Sequence, residues 1–172
     1  APSVPRLLLA SELSEDRNAR ARWIQQATER LGPNARAEER LRWLLARAEH
    51  LEDGLSPREA LPLYQQALEL DPDNIDAIAG AARVLSAAGL ERSALGLVER
   101  ARERQPHGVT LLNLYASGLE ALGRTREAEA ARDLYSALRF DDHGPLVARI
   151  DLGLARREPD QVRHWYERLL AL

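Results

Sequence analysis

Residues 75–106 read IDAIAGAARVLSAAGLERSALGLVERARERQP. Apolar residues recur at three and four on either side of Gly89: Ile78, Ala82 and Leu85 before it, Ala94, Val98 and Ala101 after it. That spacing makes each half an amphipathic helix. Gly89 is placed to end the first helix in a left-handed cap, and Pro106 stops the second. Alanines at fixed spacing let two helix backbones approach closely, while the larger residues fill the ridges between them. One such hairpin cannot bury both of its faces alone, so it needs neighbours of its own kind.

The neighbours appear when the sequence is shifted by 34 residues. Leu44, Ile78, Leu112 and Leu146 fall in one column, Ala48, Ala82 and Ala116 in a second, and Leu51, Leu85 and Leu119 in a third. Ala60, Ala94, Ala128 and Val162 share a column, as do Tyr64, Val98 and Tyr166. Ala67 aligns with Ala101, Pro72 with Pro106, and Gly89 with Gly123. A fixed period near 34 with one helix hairpin per unit is the mark of a stacked repeat.

The segments EALPLYQQALELDPDN (59–74) and RSALGLVERARERQPHG (92–108) resemble the second helix and exit turn of a tetratricopeptide repeat. Residues 75–106 match that pattern at Ile78, Ala82, Leu85, Gly89, Ala94, Val98, Ala101 and Pro106, and the resemblance extends over about 41–172. It implies an all-α, right-handed solenoid of about ten antiparallel helices, with the first helix of each pair lining a concave groove. Helices are expected near 14–31, 36–52, 57–70, 74–88, 91–104, 108–121, 125–138, 145–156 and 160–171, with a shorter one before them. The array should occupy 35–172, in units of about 41–74, 75–108, 109–142 and a partial 143–172. Residues 1–34 read as an N-terminal helical cap or degenerate repeat in which Ala19, Trp23, Ala27 and Leu31 share a face.

Departures from the pattern carry expectations of their own. Arg132 stands in a bulky column, Tyr135 replaces a small residue and Phe140 replaces the proline, so a loosened joint is expected near 139–145. Ile150 and Gly153 sit in awkward columns of the last unit. Ser56-Pro57-Arg58-Glu59 reads as an N-cap with a capping box. Asp73 or His107 is expected to begin the turn that follows each proline.

Composition agrees with helix and excludes other classes. Only 5% of the chain is aromatic and β-branched residues are scarce, which disfavours a sandwich or barrel. With 45% apolar and 30% charged residues the chain can bury a core and is not disordered. All 24 cations are Arg, and the net charge of −3 gives no basis for a nucleic-acid partner. No run reaches the roughly 18 apolar residues of a membrane helix, so no membrane insertion is expected of these residues. The opening APSVPRLLLA lacks an initiator Met and is too short for a signal peptide, which suggests a piece of a longer protein.

A search for chemistry finds little. The absence of cysteine removes disulfides, thiolate catalysis and thiolate-bound zinc. His50, His107, His143 and His164 form no metal-binding helical pair. Asp141-Asp142-His143 has metal-like composition but reads as an acidic turn before a helix. There is no phosphate loop, dinucleotide motif or nucleophile elbow, so no catalytic residue, no metal and no cofactor is expected.

What remains is surface. On the resemblance, the concave face carries one row of Glu49, Arg83, Ser117 and Asp151, a second of Leu45, Ala79, Asn113 and Val147, and flanking Arg42, Asp76 and Thr110. Arg83 and Asn113 are the best central polar pair, since Arg forks a carboxylate and Asn bonds both donor and acceptor of a peptide backbone. The Lys, Arg and Asn clamp by which some members of the family hold a terminal carboxylate is not assembled here. The leading expectation is a non-enzymatic scaffold that binds a peptide or partner domain, within a larger bacterial protein of envelope secretion or polysaccharide export. The alternative is a regulatory or substrate-recruiting domain of an enzyme whose catalytic part lies elsewhere. Self-association through the apolar ends of the array is a third reading.

Overall fold

The structure is a computed structural model that describes residues 2–54, 56–106, 108–138 and 144–170. Among the described residues there are ten helices and no strand: α1 (Val4–Glu12), α2 (Arg17–Arg30), α3 (Ala37–Glu52), α4 (Pro57–Leu70), α5 (Ile75–Ala87), α6 (Glu91–Arg104), α7 (Val109–Ala121), α8 (Thr125–Leu138), α9 (Gly144–Arg156) and α10 (Pro159–Leu170). Consecutive helices pack in antiparallel pairs, as the 34-residue columns require. The chain divides into two compact units, Ala1–Gln105 with α1–α6 and Pro106–Leu172 with α7–α10.

In the first unit, α1 lies against α3 and α3 against α5, so the first helices of successive pairs form one layer. The small columns are the contact surfaces. Ala48, Ala60, Ala67, Ala77 and Ala81 are fully buried around Leu44 and Tyr64. Ala94 and Ala101 are only 3% and 2% exposed. Tyr64 stacks on Gly80, where an added Cβ would lie 2.1 Å from the ring Cζ. A second cluster joins Leu7, Leu8, Ile24, Ala27 and Ala46, with Trp23 and Trp43 half-buried against it. Trp43 donates its indole N–H to Thr28 Oγ1 at 2.8 Å. Both tryptophans therefore knit α1 and α2 onto α3.

The turns follow the sequence with two exceptions. Gly89 and Gly123 adopt φ of 76° and 71°, the left-handed conformation that lets α5 and α7 stop. Ser56 holds the N-cap position ahead of Pro57 but makes no side-chain cap; only its carbonyl accepts from the Glu59 N–H at 3.0 Å. Its φ of −129° and ψ of 49° lie away from the extended geometry that aims a cap hydroxyl at the first turn. After Pro72 the cap of α5 is Asn74, whose side chain accepts from the Ala77 N–H at 3.0 Å, rather than Asp73. Asp73 instead accepts from Arg104 Nε at 2.5 Å, and Arg104 also donates to the Pro72 carbonyl at 2.7 Å. The end of α6 thus grips the turn between α4 and α5. His107, Phe140 and the expected joint near 139–145 lie largely outside the described residues.

In the second unit Leu111, Leu112, Ala116 and Leu119 of α7 are buried with Ala128 and Ala131 of α8. Gly153, awkward in its column, is buried beside Val162: a Cβ there would lie 2.8 Å from Val162 Cγ2. The missing side chain is what lets α10 approach α9.

Two substitutions test this packing. Ala101→Leu should destabilise the chain by roughly 1–3 kcal/mol through overpacking, read as a lower melting temperature. Gly80→Ala should also destabilise, although alanine gains about 1 kcal/mol in helix propensity. In a Tyr64→Ala background the same Gly80→Ala change should turn neutral or stabilising, which a double-mutant cycle measures.

Candidate functional site

The exposed side of the α1/α3/α5 layer carries the first-unit residues that the repeat period assigned to a binding groove. Arg42 and Glu49 lie two turns apart on α3, and Asp76 and Arg83 two turns apart on α5, all four exposed. Leu45 and Ala79 are half-buried between these rows, Leu45 packing on the core. The geometry brings these six together, and it also settles the charges around them.

Arg83 is not free to fork an incoming carboxylate. Its guanidinium holds both oxygens of Glu52, at 2.7 and 3.0 Å, and Glu52 also accepts from the Tyr64 hydroxyl at 2.7 Å. Tyr64 is completely buried and Glu52 is 19% exposed, so Arg83 closes a chain that begins in the core. Removing Arg83 would leave the Glu52 carboxylate without its cation. Arg42 pairs with Glu12 of α1 at 3.3 Å, and Asp53 with Arg20 of α2 at 2.6 Å. Glu49 and Asp76 carry no ion pair or side-chain hydrogen bond among the described residues.

The proton affinities record this difference. Burial pushes the Glu52 carboxyl up, but the hydrogen bonds from Arg83 and Tyr64 outweigh burial and hold it below the ordinary range. Tyr64 is held far above the usual phenol range by burial and by the Glu52 carboxylate. Although Glu49 is exposed at the surface, partial desolvation of its carboxyl raises it first and Asp76 next, with only Arg83 opposing. Burial and the charges of Arg17 and Arg20 lower His50, which favours its neutral form.

In the second unit Thr110, Asn113 and Ser117 form an exposed line along α7, and Asp151 is exposed on α9. These do not form one row. Among the described residues α9 packs on α8 and α10 but not on α7. A cavity of about 400 Å³ between these pairs is lined by Glu120 and Arg132 on one side and Arg149, Arg156 and Trp165 on the other. Its charges are matched internally. Arg132 holds Glu120 at 2.8 and 2.6 Å, and Arg156 holds Glu129 at 2.5 Å. Arg149 reaches Asp133 at 3.0 Å and the Glu129 carbonyl, with its guanidinium 4.4 Å from the centre of the Trp165 ring. Arg83 and Asn113 belong to different units. Among the described residues no cluster of three or more His, Asp or Glu could hold a metal; Asp141-Asp142-His143 lies outside them.

One element of this arrangement was readable and missed. Glu52 and Glu120 stand 68 residues apart, two periods, and so do Tyr64 and Arg132. In each case a carboxylate at the end of a first helix is bound by the residue twelve positions later. Arg132, a departure from the bulky column, replaces the tyrosine as the hydrogen-bond donor to that carboxylate.

Fold and surface together define an all-α repeat protein. The tetratricopeptide repeat family model matches residues 50–118, so that stretch is tetratricopeptide repeat sequence. The fold is that of solved MamA structures. MamA AMB-1 is 13% identical with a TM-score of 0.63, covering 98% of this chain and 95% of its own. The MamA RS-1 double mutant is 12% identical with a TM-score of 0.70, covering 98% and 91%. MamA MSR-1 is 14% identical with a TM-score of 0.64, covering 97% and 92%. No curated protein sequence matches the chain.

Two measurements check the site chemistry. Arg83→Ala should cost about 1 kcal/mol, the worth of a partly exposed charge-assisted hydrogen bond, and lower Tm by about 2–4 °C. The Glu pair should then respond to pH with opposite signs. Glu52, lowered on folding, adds stability above the unfolded carboxylate range and loses it as pH falls through its folded value. Glu49, raised on folding, costs stability at neutral pH, and that cost fades as pH falls into the ordinary range. Thermal melts should therefore show Glu52→Gln lowering Tm and Glu49→Gln raising it at pH 7, with both differences shrinking in acid.

Proposed function

We propose that the chain is a non-enzymatic protein-interaction scaffold whose α1/α3/α5 face binds an extended or helical segment bearing Arg or Lys. The tetratricopeptide repeats and the MamA-like fold support the general reading. The single observation that carries the finer one is the distribution of ion pairs. Arg42 and Arg83 are engaged by Glu12 and Glu52, while Glu49 and Asp76 face the same surface without a cation of their own. A cationic side chain placed between them offsets the desolvation and the Asp76 repulsion that together raise Glu49, whereas an acidic segment would add to that repulsion. Leu45 and Ala79 supply the apolar floor. On α7, Asn113 with Thr110 and Ser117 offers hydrogen bonds to a peptide backbone, and Asp151 contributes a separate carboxylate on α9.

The wider setting we favour is a bacterial envelope assembly for secretion or polysaccharide export, which the Ala, Arg and Leu richness fits. The alternative is a recruiting domain of a multidomain enzyme. A membrane anchor or barrel in the parent gene supports the first, and a catalytic motif supports the second.

Peptide selection on the immobilised chain tests the binding face. Recovered peptides should be enriched in Arg and Lys, and Glu49→Gln/Asp76→Asn should weaken them about tenfold at low salt and less at high salt. Enrichment of acidic peptides, or binding that the double change leaves intact, would overturn this reading.

A further inference from the structure

The cavity between α8 and α9 is a second site, separate from the α1/α3/α5 face, and the repeat register shows how it arises. Gly89, Gly123 and Arg157 stand one period apart and all take the left-handed turn, with φ of 76°, 71° and 58°. The N–H that follows each of them donates back in the same way, Leu90 to the Leu85 carbonyl, Arg124 to Leu119 and Glu158 to Gly153, each at 2.9 Å. The register therefore holds through the last hairpin, and two periods carry Tyr64 onto Arg132 and Ala81 onto Arg149. In the first unit Ala81, 1% exposed, lets α5 press on α3, and the Tyr64 ring fills the seam against Gly80. In the second unit a guanidinium stands in each place. The Arg149 side chain is only 9% exposed, and its bulk at an alanine position holds α9 off α7. The space of about 400 Å³ is what that separation leaves.

The walls decide what kind of group fits. Among the described residues Arg132, Arg149 and Arg156 line it against Glu120, Glu129 and Glu158. An occupant of either charge would meet its like as often as its opposite. What the walls offer instead is flat, polarised surface. The Arg149 guanidinium lies 4.4 Å from the centre of the Trp165 ring, and both Glu120 oxygens hold Arg132 in plane. The face of a guanidinium attracts an aromatic ring while its edge stays bonded to a carboxylate. The volume suits one such ring and the backbone that carries it. A tyrosine hydroxyl would also find Glu120 in the lining, as the Tyr64 hydroxyl finds Glu52. We propose that this wedge is a pocket for a single aromatic side chain of a partner protein, tyrosine above phenylalanine, which supplies from outside the ring that Tyr64 supplies within the first unit.

The chain labelled with 5-fluorotryptophan carries one fluorine at each of Trp23, Trp43 and Trp165, which makes the pocket directly observable by NMR. Millimolar N-acetyl-tyrosinamide should shift the Trp165 signal and leave the other two, and N-acetyl-leucinamide should shift it far less. Peptide selection on the Glu49→Gln/Asp76→Asn chain, in which the α1/α3/α5 face is disabled, should return sequences that share one Tyr, Phe or Trp. Arg132→Tyr puts a ring of the chain's own into the wedge and should weaken those peptides about tenfold with helical circular dichroism unchanged. Gln161→Trp, at an exposed position on the opposite wall, should block the cavity equally, so a folding defect in one variant leaves the other as the test. Equal response to the two amides, or peptides selected for charge alone, would overturn the proposal. So would peptide binding that survives both substitutions. Tyrosinamide binding without any aromatic peptide would overturn it too, since the pocket would then serve a small aromatic ligand.

Discussion

Two helix backbones can come only as close as the side chains between them allow, and this chain is organised around that limit. Alanine occupies the columns where helices touch, at Ala48, Ala60, Ala67, Ala94, Ala101, Ala116 and Ala128, each almost wholly buried. Where alanine is still too large, glycine takes the place, under Tyr64 at Gly80 and beside Val162 at Gly153. A small residue buries little area by itself. Its contribution is indirect: close approach lets Leu44, Ile78, Leu111, Leu112 and Leu119 fill the ridges, and these supply the apolar burial that offsets the entropy of ordering the chain.

Close packing also fixes where the polar groups can go. A tyrosine pressed onto a neighbouring helix at Gly80 has its hydroxyl in the seam between helices, where an unbonded donor is costly. Glu52 satisfies it at the end of α3, and the carboxylate left half-buried there draws in Arg83. The second unit solves the same problem with fewer parts, since Arg132 replaces the tyrosine and binds Glu120 through both oxygens. A chain whose cations are all arginine suits this geometry, because the planar guanidinium matches a carboxylate fork while a lysine would meet it at one point. Several arginines are spent as staples between helices, each taking one carboxylate with it.

This division explains what the sequence makes legible. Residue size repeats every 34 positions because burial repeats, so the helices, their caps at Gly89 and Gly123 and the buried alanines can be read without coordinates. Long side chains obey no such period. Arg83 and Glu52 are 31 residues apart, a spacing belonging neither to the repeat nor to one helix, and their meeting depends on a reach across α3 and α5. Asp151 is in the right column for the α7 row, yet its helix packs elsewhere, because a column gives the register along a helix and not which neighbour the helix keeps. Gly153 reads as a fault in its column until Val162 is seen occupying the space.

The same reasoning separates surface that stabilises from surface kept for something else. Paired carboxylates such as Glu52 and Glu120 have proton affinities below the ordinary range, so their ionisation favours the fold. Glu49 has the opposite sign: partial desolvation and the nearby Asp76 make its ionised form a cost to the isolated chain. A glutamine there would remove that cost at no loss of volume. On the proposed binding face, a cation carried by the partner would meet Glu49 and Asp76, the two carboxylates there without an ion pair among the described residues.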